Sequence, residues 1–330
     1  MSEDPYLWLE DVEADRSLDW VRAQNAKTQA ALTDSPEFIS LRDDLCAILD
    51  SAAHIPDIIK HGDYHYNFWR DKSHPAGLWR RTTLDEYRKA DPDWEILIDL
   101  DALNKAENAN WVWHGADCLK PDHARALIAL SRGGADADET REFDQIAGQW
   151  RKDGFCRPES KGALAWKDID HVYVYTDFGA GSMTASGYPR IAKLWRRGTP
   201  LDSADTVYEG APDDMVVAAY RDHSKGFARD FVARTIAFYN DELYLIAADG
   251  GLAKIDVPNS AQKNVHKRHL LLELREAWTV AGESYPAGAL IAADFEAFMA
   301  GARDFSVIFS PDEATSLAGY CWTRNFLLLN

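Results

Sequence analysis

The sequence predicts a mainly β chain folded as a β-propeller, with a short helical segment in front of it. Three observations carry this expectation. The hydrophobic period changes from 3.6 to 2 after Asp50. Strand-like runs then recur in sets of three or four, separated by Gly, Pro and Asp turns. The 330 residues also include 12 Trp, 13 Tyr and 13 Phe, flat side chains that suit the buried faces of sheets.

The helical segment comes first. Residues 15–32 place Leu18, Val21, Ala26 and Ala30 on one stripe at helical spacing. A second helix begins after Ser35, a favoured N-cap, with Pro36 at the first helical position, where a missing N–H costs nothing. Phe38, Leu41, Leu45 and Ile48 form its apolar face. Two short amphipathic helices cannot bury such faces alone, so the segment needs a partner surface.

The first strands are expected over 63–71, 77–83 and 94–100, followed by 124–131, 164–169, 171–177 and 190–198. Residues 215–222, 231–239, 242–248 and 252–257 continue the series, and one short helix is expected over 294–302. The absence of 10–15-residue helical patterns between strands argues against a parallel βαβ sheet. Leu-Trp-Arg-Arg occurs at 78–81 and again at 194–197, after the loops 71–77 and 177–189. Units of roughly 40–50 residues with four short strands each are the blades of a propeller. The two loops would then join second to third strands on one face. About five units fit between residues 55 and 309, and a sixth begins near Ala314. The last strand candidate, in 324–330, has no strands after it, so the ring is expected to stop inside a blade.

Composition bounds the function. Hydrophobic residues at 46% and charged residues at 27% are ordinary for a globular chain, and the length suffices for a sizeable core. A net charge of −18 repels phosphate, which argues against nucleic acid and against anionic membrane as partners. No run approaches the ~18 apolar residues of a membrane span. The N-terminus lacks a basic n-region and an apolar h-region. Cys46, Cys118, Cys156 and Cys321 form no C-x-x-C pair and read as buried small hydrophobes in a reducing compartment. The expected location is cytoplasmic. No cofactor or metal is expected. His61 and His65 are four apart in a turn and strand, where they diverge, and Asp136, Asp138 and Glu139 lack EF-hand spacing and read as a solvated turn.

Residues 4–28, DPYLWLEDVEADRSLDWVRAQNAKT, resemble the N-terminus of the prolyl oligopeptidase family of serine peptidases. There, a D-P-Y-x-W-L-E-D opening leads into a helix ending in A-Q-N. Residues 77–88, 176–201 and 316–330 resemble the same family, bacterial members especially, so the likeness runs from one end of the chain to the other. The resemblance implies an α/β-hydrolase domain made from a short N-terminal segment and the C-terminal half of the chain. A seven-bladed propeller inserted between them limits access to short peptides. On that pattern residues 1–52 belong to the hydrolase side. Residues 53–330 are propeller, cut at the C-terminus to five or six blades, and the partner is a missing C-terminal hydrolase domain.

The catalytic groups do not carry over. The family's acyl transfer needs Ser in G-x-S-x-G, followed in the chain by Asp and His. No such pentapeptide occurs: Ser182 and Ser186 have Ala180 and Thr184 two residues before them. Asp222, His223 and Ser224 are adjacent, and adjacent side chains point apart. No catalytic residue is assigned, and the chain alone is expected to be inactive. Tyr188 and Arg190 are candidates to face a peptide, as an apolar wall and a carboxylate clamp, with Lys161 and Phe155 on the same face. The alternative for 187–190 is a shaped turn with Arg190 in a structural ion pair. Leu7, Trp8 and Trp20 are expected to dock the hydrolase domain, the alternative being packing on the propeller. A rival reading of the whole chain is a free-standing propeller that binds protein or carbohydrate. Another is a glycosidase with inward carboxyls about 5–9 Å apart.

Overall fold

The computed structural model describes residues 4–51 and 55–330. A 3-10 turn at Leu7–Glu10 leads into α1 (Asp15–Thr28), a single π-helical turn at Gln29–Thr33 and α2 (Pro36–Leu49). The Ser35 Oγ caps α2 by accepting from the Phe38 N–H at 3.1 Å, as the sequence predicts. The apolar faces remain open. Only Ser17 is buried in α1, nothing is buried in α2, and Ile48 is 68% exposed.

From residue 59 the chain builds five antiparallel sheets in sequence. The first is β1 (Ile59–His61), β2 (Tyr64–Trp69), β3 (Leu78–Thr83) and β4 (Glu95–Asp99). Here α3 (Leu84–Tyr87) precedes β4, and α4 (Leu100–Glu107) follows it. The second holds β5 (Trp111–Cys118), β6 (Arg125–Arg132) and β7 (Asp138–Asp144). Its outer edge is split between β8 (Gln149–Trp150) and β9 (Cys156–Ser160), both paired to β7. The third is β10 (Ala163–Asp168), β11 (His171–Tyr175), β12 (Ile191–Arg196) and β13 (Asp205–Glu209). The fourth is β14 (Val216–Asp222), β15 (Arg229–Ala237), β16 (Asn240–Ile246) and β17 (Leu252–Lys254).

The fifth sheet starts with β18 (Gln262–His266) and β19 (His269–Glu273). A separate hairpin of β20 (Trp278–Val280) and β21 (Glu283–Tyr285) intervenes before β22 (Leu290–Asp294), α5 (Phe295–Met299) and β23 (Ser306–Phe309). A last hairpin pairs β24 (Tyr320–Trp322) with β25 (Leu327–Leu329). Each sheet is a meander in strand order, the texture of propeller blades.

Alternation along the strands explains how the sheets stack. In β11, Val172 and Val174 pack with Leu127, Phe155 and Trp166 towards the second sheet, while Tyr173 between them packs with Val217, Ala219 and Val232 of the fourth. Comparable buried seams join the first sheet to the second, around Trp79, Trp111 and Phe143, and the fourth to the fifth, around Phe231, Ile255 and Leu272. Because side chains alternate, one strand serves two seams, and the cores lie between sheets rather than inside one layer.

The repeated tetrapeptide proves not to be a structural repeat. Both copies lie on third strands. However, Tyr64 pairs with Thr83 while His171 pairs with Arg196, so Trp79 corresponds to Ala192 and Trp195 to Thr82. The odd offset turns the two indoles to opposite faces, Trp79 to the following sheet and Trp195 to the preceding one. The repeating unit is the four-strand meander, not the words in it. The cysteines also depart from expectation. Cys118 is buried, and burial pushes its thiol up to about 12, but Cys46, Cys156 and Cys321 are exposed and all four are free. Cys46 sits on the uncovered α2, and Cys156 and Cys321 lie on short peripheral strands.

At the rim between the first two sheets, His61 meets His123, with ring centroids 4.9 Å apart. Burial, then the charges of His123 and Lys120, lower His61 to about 4, and burial lowers His123 as well. The unfolded chain, with imidazoles near ~6.5, therefore binds more protons than the folded one at intermediate pH. Stability should be full above that value and fall as pH drops from about 6.5 towards 4. Urea midpoints across that window should show this decline, and His61→Asn should flatten it. Parallel pH profiles for the two proteins would contradict the pairing.

Candidate functional site

Strand direction defines one face. In each four-strand meander the start of the first strand, the turn between second and third, and the end of the fourth lie on the same side. That side therefore carries residues 70–77, 133–137, 176–190 and 238–239, together with the connections between sheets. The N-terminal segment enters here too, and the end of α2 (Ile48, Leu49) borders a cavity with Phe68, Arg70 and Trp113.

On this face two sheets bring three side chains together. Asp136, from the β6–β7 turn, accepts from the Tyr188 hydroxyl at 2.5 Å and pairs with the Lys161 ammonium at 3.0 Å. The Lys161 Nζ also sits 4.2 Å from the centre of the Tyr188 ring. The hydrogen bond from Tyr188, then that from Lys161, holds the Asp136 carboxyl below its ordinary range. The same bonds raise the Tyr188 phenol and the Lys161 ammonium.

The strand beneath is pinned. The Arg157 side chain is fully buried, pairs with Asp138, and donates to the Ser160 carbonyl at 2.8 Å. The Ser160 Oγ in turn accepts from the Asp177 N–H at 3.0 Å. Lys161 thus leaves a backbone fixed from both sides. Burial raises Asp138 despite the guanidinium beside it, and His114 Nδ1 lies 3.2 Å from its carboxylate.

The other sequence candidates divide. Arg190 is on this face, but its guanidinium is committed. It donates to the Gly181 and Gly210 carbonyls at 2.6 and 2.7 Å and pairs with Glu209 at 2.8 Å. That is the ion-pair alternative for this loop. Phe155 does not face a ligand. It is 2% exposed and packs edge-on against Trp166 and Trp195, since the residue just before β9 is turned into the seam between the second and third sheets. Trp8 and Trp20 meet at 90° with centroids 6.3 Å apart, and Arg16 stacks on Trp8 at 4.0 Å, while Leu7 points outwards. Asp136 was missed as a site residue. In the sequence it is one acid of a Gly-rich turn, 52 residues from Tyr188, and only packing between sheets unites them.

A hydrolytic centre does not assemble from Asp222, His223 and Ser224. Asp222 accepts from the Ser224 N–H, and His223 Nε2 faces the Trp166 carbonyl at 2.9 Å. Ser182 is buried and donates to the Gly179 carbonyl at 2.7 Å. His61 and His65 diverge, and no group of three or more metal-ligating side chains occurs among the described residues. No helix among them is long and apolar enough to cross a membrane.

The profile of the family described as prolyl oligopeptidase, N-terminal beta-propeller domain, matches residues 2–330. The chain belongs to this family. The uncharacterized peptidase y4nA of Sinorhizobium fredii is 35% identical over 340 residues, covering all of this chain and 47% of that protein. A post-proline cleaving enzyme from Rickettsia typhi superposes with a TM-score of 0.90 at 26% identity, over 98% of this chain and 49% of that one. Oligopeptidase B from Leishmania major shares the fold, with a TM-score of 0.71 at 16% identity over 99% of this chain and 44% of its own. This prolyl oligopeptidase propeller chain thus spans about half the length of the relatives it matches.

One substitution checks the cluster. Tyr188→Phe removes the phenolic donor, so the Asp136 pKa should rise towards its ordinary value in a carboxyl-carbon NMR titration, with the fold unchanged. An unmoved Asp136 would show that the hydrogen bond does not form.

Proposed function

We propose that this chain is the gating and substrate-selecting half of a prolyl oligopeptidase-like serine peptidase that cleaves short peptides. Residues 53–330 form the propeller and residues 1–52 belong to the hydrolase side. Residues 52–54 of that boundary lie outside the described residues. Acyl transfer is supplied by a C-terminal α/β-hydrolase half.

The observation that carries this reading is that the chain aligns along its whole length with less than half of each relative. Its own geometry supports it. The open apolar faces of α1 and α2, with Leu7, Trp8 and Trp20, suit a docking surface, because exposed apolar stripes of this extent need a cover. The same face presents Tyr188 and the Lys161–Asp136 pair to whatever lies above it. There the phenol offers a flat wall, and the ammonium can exchange Asp136 for a peptide carboxylate. The propeller does no bond-breaking in this scheme. It excludes long or folded chains and positions short ones, which acts on substrate binding rather than on the chemical step.

Residues 1–330 alone should therefore hydrolyse no peptide and take up no fluorophosphonate probe. The gene product extended through a hydrolase half should do both. Stoichiometric labelling of one serine within residues 1–330 would overturn the reading.

A further inference from the structure

The turn between β15 and β16 has only two residues, Phe238 and Tyr239, since Ala237 pairs with Asn240. Such turns favour Gly, Asn or Asp, because the backbone there often has positive φ. Here Tyr239 adopts φ 60°, and both rings stand in solvent, 80% and 67% exposed. A bulky residue in the left-handed region and two uncovered aromatics are both unfavourable locally, so their reason lies outside the fold.

Beside them opens a cavity of about 600 Å³, also lined by Pro258, Asn259, Arg275 and Glu276. The Arg275 guanidinium lies 4.2 Å from the centre of the Tyr239 ring. Three arginines of this face are matched to acids, Arg190 to Glu209, Arg157 to Asp138 and Arg234 to Asp214, whereas Arg70 lies over the Phe68 ring. Arg275 forms no such ion pair among the described residues, and Glu276, next to it in sequence, accepts from the Ser260 hydroxyl at 3.1 Å. The cavity wall is fixed. The buried Lys263 ammonium donates to the Asp241 carboxylate at 2.9 Å and to the Asn259 and Ala261 carbonyls at 3.2 and 2.8 Å. An unmatched guanidinium beside an aromatic wall, in a shallow depression whose floor is pinned, suits a planar carboxylate next to an apolar group.

We infer that the Phe238–Tyr239–Arg275 cavity is a subsite for a carboxylate of the bound peptide. Arg275 takes the carboxylate and the two rings take the adjoining side chain. This rests on the peptide reading above. The carboxylate is either the free C-terminus or an acidic side chain, and the same chemistry recognises both.

The test uses residues 1–330 and three probes: N-acetyl-Ala-Pro-Phe as the free acid, its C-terminal amide, and N-acetyl-Glu-Pro-Phe amide. Aromatic NMR shifts of Phe238 and Tyr239 report occupancy. At least one carboxylate probe should shift both rings and bind about tenfold tighter than the uncharged amide, the effect of one charge-assisted interaction at an open site. The stronger of the two carboxylate probes identifies the source. Arg275→Gln should remove that difference and Arg275→Lys should keep part of it. Equal binding of both carboxylate probes and the uncharged amide, or a difference that survives Arg275→Gln, overturns the subsite while leaving the peptide reading intact. So does covering of the two rings by the hydrolase half in the extended protein. Failure of the extended protein to cleave any peptide would instead break the reading beneath it.

Discussion

Everything in this molecule depends on side-by-side packing of consecutive sheets through alternating strand faces. A lone four-stranded meander has two faces and no reason to be stable with either in water. Here Val172 and Val174 fill one seam and Tyr173 the next, so each sheet is stabilised only by its neighbours. The seams differ in character. The one between the first and second sheets is built from clustered aromatics, with Phe68 stacked on Trp113 at 4.9 Å and Trp79 tilted against Trp113 at 5.5 Å. The one between the third and fourth uses Ala192, Val217 and Ala219, small residues that let the sheets approach closely. Function inherits this arrangement, because residues distant in sequence meet only where two sheets do.

Electrostatics follow the same seams. Although the chain is strongly acidic, several inward carboxylates are matched. Asp214 and Glu242 share Arg234, and Glu242 also binds Lys254 at 2.6 Å. Burial acts to raise Glu242, yet its bonds to Lys254 and Tyr244 outweigh that and hold it at about 2. These pairs hold the interior acids of the fourth sheet in fixed positions. Net charge therefore identifies excluded partners but no site.

Much of the fold was legible in the sequence. The N-cap of α2, the change of hydrophobic period, the strands with clear alternation such as 64–69 and 171–175, and the second-to-third loops rest on local chemistry, and each appears where local chemistry puts it. The hidden parts were those decided by tertiary contact. Residues 138–144 read as polar, yet Thr140, Glu142 and Asp144 are buried because ion pairs and a shared edge satisfy them. Phe155 follows a turn and looked available, but the seam claims it. The cysteines looked buried because the residue type usually is, whereas Cys46 lies on the uncovered α2 and Cys156 and Cys321 stand exposed on short strands. For the site, Tyr188 and Lys161 were visible as a flat wall and a cation, but their acid could not be named until the sheets were placed.

The central claim is that the N-terminal helices and the 133–137 and 176–190 loops form one surface made to be covered by a hydrolase half. The most direct measurement is amide hydrogen exchange on residues 1–330 alone and on the same residues within the longer, hydrolase-bearing protein. The account predicts strong added protection in α1, α2 and the 133–137 and 176–190 loops, with the opposite rim unchanged. Equal exchange of those segments in both proteins would contradict it.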